Sequence, residues 1–292
     1  MSEETLVLCA SVLAACGGGG DTVTVGSKQF TESILVGEML AQLVEAKTDL
    51  KVERKLNLGG TTVVALAIQN QEIDFYLEYS GTAYNELLKL TREAGMTPDD
   101  VYEAAKKGLN EQLGITALDP IGMNNAFAIA VTREYAESKG VQTISDLAAI
   151  SGEVRFGANH MFFPREYDGY DDMVATYGMN FKETLKMDTS LLYDAIDKGE
   201  LDAMVVYATD AMLAKLDMVV LEDDKNFFPP YYGMPIVNNK TLEAHPELKE
   251  ALNSLAGLID DAQMQKLNNE VDGNNRTVEE VAKEFLTQNG LI

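Results

Sequence analysis

The chain has no tryptophan, two cysteines, two histidines and seven prolines among its 292 residues. His160 and His245 stand far apart, neither with a partner at metal-ligand spacing, so no metal site is expected. Both cysteines, Cys9 and Cys16, lie at the start of the chain, which leaves its body without thiol chemistry. Basic residues are scarce: 23 Lys and Arg face 47 Asp and Glu, for a net charge of −24. That balance argues against nucleic acid, or an anionic membrane surface, as the main partner, because both need basic patches. Solubility accounts for most of the acidity; attraction of a cation is the second use, and salt screens much of it. There is no Gly-x-Ser-x-Gly elbow and no phosphate-binding glycine loop. Gly17 to Gly20 follow no strand and read as a linker. No segment reaches the ~18 apolar residues that a bilayer span needs.

What is present is a repeat. Ala67-Ile68-Gln69-Asn70-Gln71-Glu72-Ile73-Asp74, followed after four residues by Tyr79, returns 128 positions later as Ala195-Ile196-Asp197-Lys198-Gly199-Glu200-Leu201-Asp202, followed by Tyr207. Val23-Thr24-Val25-Gly26-Ser27 is echoed by Val154-Arg155-Phe156-Gly157-Ala158. Two echoes are too few for a solenoid. They describe two α/β lobes of one design, each offering a tyrosine from the end of a similar strand. Glu72 with Asp74, and Glu200 with Asp202, are carboxylate pairs of the kind used in acid–base chemistry. They bracket strand starts, however, and are expected to be turn and solvent residues.

Hydrophobic content of 46% and charged content of 24% fit a globular protein large enough for two domains. Strands are expected at residues 22–26, 51–58 and 73–76, with helices between them from about 31 to 47 and on to 69, a parallel arrangement with right-handed crossovers. Thr31 is expected to cap the first helix, Phe30 to staple against Leu35, and Thr61 or Thr62 to cap the second. Residues 99–113 read as an amphipathic surface helix. The second lobe opens with the apolar strand 127–131 and includes strands at 153–158, 201–207 and 218–221. Residues 247–258, 260–269 and 278–288 read as closing helices, the last with a capping box from Thr277 to Glu280. The expected organisation is residues 1–21 as a leader and tether, residues 22–126 with 233–292 as lobe 1, and residues 127–232 as lobe 2. Two crossing segments, near 122–127 and 230–235, join the lobes around a cleft suited to a small ligand.

The first residues carry their own pattern. Residues 6–16 are apolar and end in Leu13-Ala14-Ala15-Cys16, which resembles a bacterial lipobox with Cys16 as the lipidated residue and the glycines as tether. Glu3 and Glu4 stand where such a leader carries Lys or Arg, and a buried terminal segment is the alternative.

Tyr79 and Tyr207 follow matching strands, Phe127 lies at the first crossing and Tyr231-Tyr232 at the second. An inter-lobe cleft would gather these positions, and ring faces host a quaternary ammonium by cation–π attraction, ~0.5–2 kcal/mol per ring. On spacing alone, rim or core tyrosines are the plainer reading.

Several motifs occur in order: Gly26-Ser27-Lys28-Gln29-Phe30-Thr31-Glu32, Leu58-Gly59-Gly60-Thr61, Glu78-Tyr79-Ser80-Gly81-Thr82-Ala83, Asn124-Asn125-Ala126-Phe127-Ala128 and Phe228-Pro229-Pro230-Tyr231. Over residues 22–292 the chain resembles the substrate-binding proteins of osmoprotectant ABC importers, the glycine betaine, carnitine, choline and proline betaine group. The resemblance implies a type II periplasmic-binding-protein fold, an α/β protein without catalytic activity or cofactor. It also implies a monomer outside the cytoplasm that delivers its ligand to an ABC permease with its ATPase. It implies that Tyr79, Phe127, Tyr207 and Tyr231 enclose the trimethylammonium group. Phe127 departs from the tyrosine common at its position, which keeps the ring face and loses a hydroxyl. It further implies that Lys28, Thr82 and Arg165, the last in Arg165-Glu166-Tyr167-Asp168-Gly169, hold a ligand carboxylate. Asn124 and Asn125 are either further amide contacts or turn residues. Choline, carnitine, glycine betaine and larger betaines such as ergothioneine all remain open as ligand. The alternatives are a receptor for an amino acid or other solute on the same fold, an enzyme on this scaffold, or a structural surface lipoprotein.

Overall fold

In the computed structural model, residues 21–92, 96–160, 162–165 and 168–292 are described. The leader-like residues 6–16, Cys16 among them, and also Glu166 and Tyr167, lie outside these.

In the described residues the chain builds two five-stranded mixed sheets. Strands β1 (Thr22–Gly26), β2 (Lys51–Lys55), β3 (Phe75–Tyr79) and β4 (Ile115–Ala117) belong to the first. Strands β5 (Phe127–Thr132), β6 (Arg155–Ala158), β7 (Glu183–Lys186), β8 (Ala203–Tyr207) and β9 (Met218–Val220) form the second, and β10 (Gly233–Asn238) returns to the first. The sheet orders, β2-β1-β3-β10-β4 and β7-β6-β8-β5-β9, are the same design twice. In each, three parallel strands are followed by an antiparallel one that arrives from a crossing segment. The lobes are therefore mixed, not wholly parallel, because β5 and β10 enter from the opposite lobe.

The apolar positions of helix α1 (Thr31–Lys47) explain its place. Leu35, Val36, Met39, Leu40, Leu43 and Val44 are all buried, in one cluster with β1, β3 and the closing helix Val278–Gln288. The cap is not Thr31: Phe30 occupies the N-cap without a side-chain bond, and the Thr31 hydroxyl donates to Asp272 at 2.6 Å. Phe30 stacks toward Tyr79, with centroids 6.2 Å apart. Gly60, not a threonine, caps helix α2 (Thr61–Gln69). Residues 98–113 start as an α-helix with a Thr97 capping box and end in a π-helical turn. The Thr277–Glu280 box is present as expected.

The repeat has a structural meaning down to single bonds. Each copy ends a helix with a left-handed residue, Gln71 at φ 60° and Gly199 at φ 68°. The next amides close the same loop, Glu72 N to Ala67 O and Glu200 N to Ala195 O, both 2.8 Å. Asp74 and Asp202 are not solvent residues. Asp74 accepts from Thr24 N at 2.7 Å and from the Thr241 hydroxyl at 2.6 Å. Asp202 accepts from Arg155 N at 2.8 Å and pairs with its guanidinium at 2.6 Å. Each clamps the start of its strand to the neighbouring parallel one. Because only glycine enters the left-handed region freely, Gln71→Gly is expected to stabilise the fold by about 0.5–1 kcal/mol, and Gly199→Ala to destabilise it. Chemical denaturation checks both; no gain in the first would mean the Gln71 side chain repays its backbone strain.

Candidate functional site

The repeated tyrosines sit at the C-terminal ends of β3 and β8, and each is paired with the first residue of the strand entering from a crossing segment. Tyr79 pairs with Gly233, and Tyr207 with Phe127. The crossing segments are themselves joined: Asn124 and Tyr232 form an antiparallel bridge, and the Asn124 side chain accepts from Tyr231 N at 2.7 Å. Asn124 is thus a structural tie between the two segments.

The motif around Tyr79 shows one task per residue. Glu78 pairs with Lys28, Tyr79 presents its ring, and Ser80 exchanges hydrogen bonds with the Tyr232 backbone. Gly81 is needed because a Cβ there would lie 2.8 Å from the Tyr231 ring and 2.9 Å from Pro230 O. The close approach seats Tyr231 against the first lobe.

Lys28, Tyr79, Thr82, Phe127, Arg165, Tyr207 and Tyr231 all line one cavity of about 690 Å³. The chain positions that supply them span both sheets and both crossing segments. The rings are not four free faces around a void. Phe127 and Tyr207 stack on each other at 4.8 Å, and Phe162 meets Phe127 edge-on at 5.4 Å. Tyr79 is only 4% exposed, whereas Tyr207 is 38% exposed. Two rings already carry a cation: the Lys28 ammonium lies 5.0 Å over Tyr79, and the Arg165 guanidinium 5.0 Å over Phe127.

Both basic groups also have a private acid. Lys28 forms a buried ion pair with Glu78, whose carboxylate further accepts from the Tyr76 hydroxyl at 2.9 Å and Tyr79 N at 2.8 Å. Arg165 donates Nε to Asp168 at 2.8 Å, pairs with it through Nη2, and reaches the Tyr231 hydroxyl at 3.3 Å. The Asp168 bond outweighs burial and pushes the Arg165 pKa up, so this side chain stays charged. Burial raises the Tyr207 and Tyr231 pKa values, so both remain neutral phenols.

Sequence reasoning passed over four acids in the wall: Glu32, Glu86, Asp210 and Asp272. Glu32 is buried and accepts from Tyr79 Oη at 2.6 Å, Asn125 Nδ2 at 2.7 Å and Asn268 Nδ2 at 3.1 Å. Its signal was available, as an acid in the first turn of an apolar helix and at the end of the Gly26–Glu32 motif. Asp210 caps the short helix Ala211–Lys215, and burial raises its pKa. Among the described residues no group of His, Cys, Asp and Glu is arranged to hold a metal, and no helix is long and apolar enough to cross a membrane.

Residues 21–288 match the family described as the substrate binding domain of ABC-type glycine betaine transport systems. A carnitine transport binding protein of Listeria monocytogenes is 35% identical over 98% of this chain and 93% of its own length. A glycine-betaine-binding protein of Pseudomonas aeruginosa is 31% identical over 97% of this chain and 93% of its own length. An ergothioneine transport permease/ergothioneine binding protein of Helicobacter pylori is 32% identical over 92% of this chain, which spans 48% of that longer protein. A crystal structure of a glycine betaine/carnitine/choline ABC transporter protein superposes with a TM-score of 0.88 at 32% identity, covering 94% of this chain and 99% of the other.

Proposed function

The chain belongs to the family of substrate-binding domains of ABC-type glycine betaine transport systems, and from that premise we propose that its cavity captures a quaternary ammonium compound. As a solute-binding protein of an importer it works outside the cytoplasmic membrane and serves a permease. The observation that carries the ligand class is that Tyr79, Phe127, Tyr207 and Tyr231 line one cavity, two of them with a cation over the ring. Ring faces that hold an ammonium and a guanidinium in this wall are suited to a methylated cation, which has no N–H to donate and binds through its charge and methyl surface. Tyr207 and Tyr231 complete the cage. Arg165 meets a ligand carboxylate through the guanidinium nitrogen that Asp168 leaves over, with Thr82 in the wall of the same cavity.

The lobes, residues 22–126 with 233–292 and residues 127–232, close on the ligand by turning about the paired crossing segments, a transition driven by contacts with both sides. The protein acts as a monomeric carrier and not as an enzyme, and Cys16 tethers it to the membrane. A volume of about 690 Å³ suits small-molecule sites in general and leaves room for betaines larger than choline.

Calorimetric titration with choline, glycine betaine, carnitine, ergothioneine and a polar amino acid tests the reading. Saturable binding of any trimethylammonium compound is the expected result; binding of the amino acid alone would move the ligand class and leave the rings as structure. Arg165→Ala is expected to weaken glycine betaine and carnitine about tenfold while changing choline much less, since only the first two carry a carboxylate. Equal losses for all three would remove Arg165 from the carboxylate end.

A further inference from the structure

Among the described acids of the cavity wall, Glu32 alone hydrogen-bonds a cage ring, and its surroundings are unusual. It is 3% exposed, and among the described residues it forms no ion pair with Lys or Arg. Neutral donors alone hold its carboxylate: the Tyr79 phenol and the Asn125 amide on Oε1, and the Asn268 amide on Oε2. These donors come from β3, the first crossing segment and the helix Asp261–Asp272. Asn268 also donates to Thr209 O at 2.9 Å, just past β8 in the second lobe.

We infer that Glu32 is a positioning residue of the cation cage, fixing the Tyr79 ring and, through its hydrogen bond to the phenol, enriching the ring face that meets the ligand's charge. The inference rests on the quaternary-ammonium reading above. Its physical basis is that a phenol donating to an anion is polarised, with electron density moved toward oxygen and ring. The negative face of the ring quadrupole, which attracts cations, deepens accordingly. The Lys28 ammonium over this ring shows that the face already acts as a cation host, although Glu78 matches that charge. Burial, and then the Glu32 charge, push the Tyr79 pKa well above the usual phenol value, so the proton stays on the donor.

The test separates charge from shape. Choline is compared with 3,3-dimethylbutan-1-ol, and glycine betaine with 3,3-dimethylbutanoate; in each pair a tert-butyl carbon replaces the ammonium nitrogen. Affinities are measured for the unaltered protein, Glu32→Gln, Tyr79→Phe and the double variant. Glu32→Gln is expected to lower the preference for cation over carbon isostere about tenfold, Tyr79→Phe to do likewise, and the double variant to lose no more than either. Tyr79→Phe keeps the ring and its packing, so it reports even if Glu32→Gln folds poorly. Equal losses for cation and isostere would make Glu32 a purely structural residue and overturn the inference. Full additivity, or an unchanged preference in Tyr79→Phe, would mean its charge acts without the ring and would overturn it too. Lack of any cation preference in the unaltered protein would instead defeat the ligand reading itself, visible before any variant is made.

Discussion

Tyr207→Ala is expected to weaken binding of a trimethylammonium ligand at least about tenfold while leaving thermal unfolding nearly unchanged. Tyr207 is the most exposed of the four rings and packs against Phe127 without carrying core weight on its outer side. Losing it removes a cation–π contact of ~0.5–2 kcal/mol and the methyl-to-ring area covered at ~25 cal/mol per Å², against the 1.4 kcal/mol that makes a factor of ten. Its repeat partner does not offer so clean a test. Tyr79 is buried, hydrogen-bonded to Glu32 and packed in the first lobe, so truncation there opens a cavity costing ~3–5 kcal/mol. Calorimetry beside a thermal melt separates the two effects. Unchanged affinity in a folded Tyr207→Ala protein would sink the cage.

Lys28→Ala should cost about 3–5 kcal/mol of stability, an effect on folding before it is one on binding. The reason is Glu78, which is fully buried and has Lys28 as its cation. Removing the ammonium leaves a carboxylate in the core with two neutral donors, the Tyr76 hydroxyl and the Tyr79 amide. Replacing both partners, as Lys28→Met with Glu78→Gln, is expected to cost far less, because no unpaired charge remains. Urea denaturation of the single and double variants measures the difference. A single variant that loses under about 1 kcal/mol would mean that water or another group reaches Glu78. Lys28 would then be free to serve a ligand. With the expected outcome, loss of betaine binding in Lys28→Ala says little about carboxylate recognition, and Arg165 is the side chain to alter.

The broad architecture was legible because periodicity and repetition are local properties. The echo of residues 67–79 in 195–207 anticipated two lobes of one order, and the seven residues chosen for the site do share a cavity. What sequence could not show was who takes each polar group. Thr31 looked like a helix cap, but Asp272, 241 residues away, holds its hydroxyl. Asp74 and Asp202 looked like turn residues, but each receives the backbone amide of a neighbouring strand. Lys28 and Arg165 read as the carboxylate end of the site, and the sequence did not show that Glu78 and Asp168 pair with them. Spacing reveals which face a side chain is on, and long-range partners are set by the packing of elements far apart in the chain. Glu32 went unassigned for the same reason: three of its donors come from later in the chain, the farthest 236 residues on.

The bridge between Asn124 and Tyr232 would also govern how the proposed cage moves. Where two bonded segments carry a rotation, displacement grows with distance from the axis. Tyr231 is next to the bridge and braced against Gly81, so it would travel little if the lobes turned about these segments. Tyr207 stands on the second sheet and would sweep through the arc. One ring is then an anvil and the other a hammer. On the proposed reading a ligand would be received first on a surface whose position depends little on the opening angle, and the energy of the later contact would drive the angle shut. A bulkier headgroup would stop the sweep early, so the angle at rest reads out ligand size, and a permease that senses the angle would be told which solute has arrived.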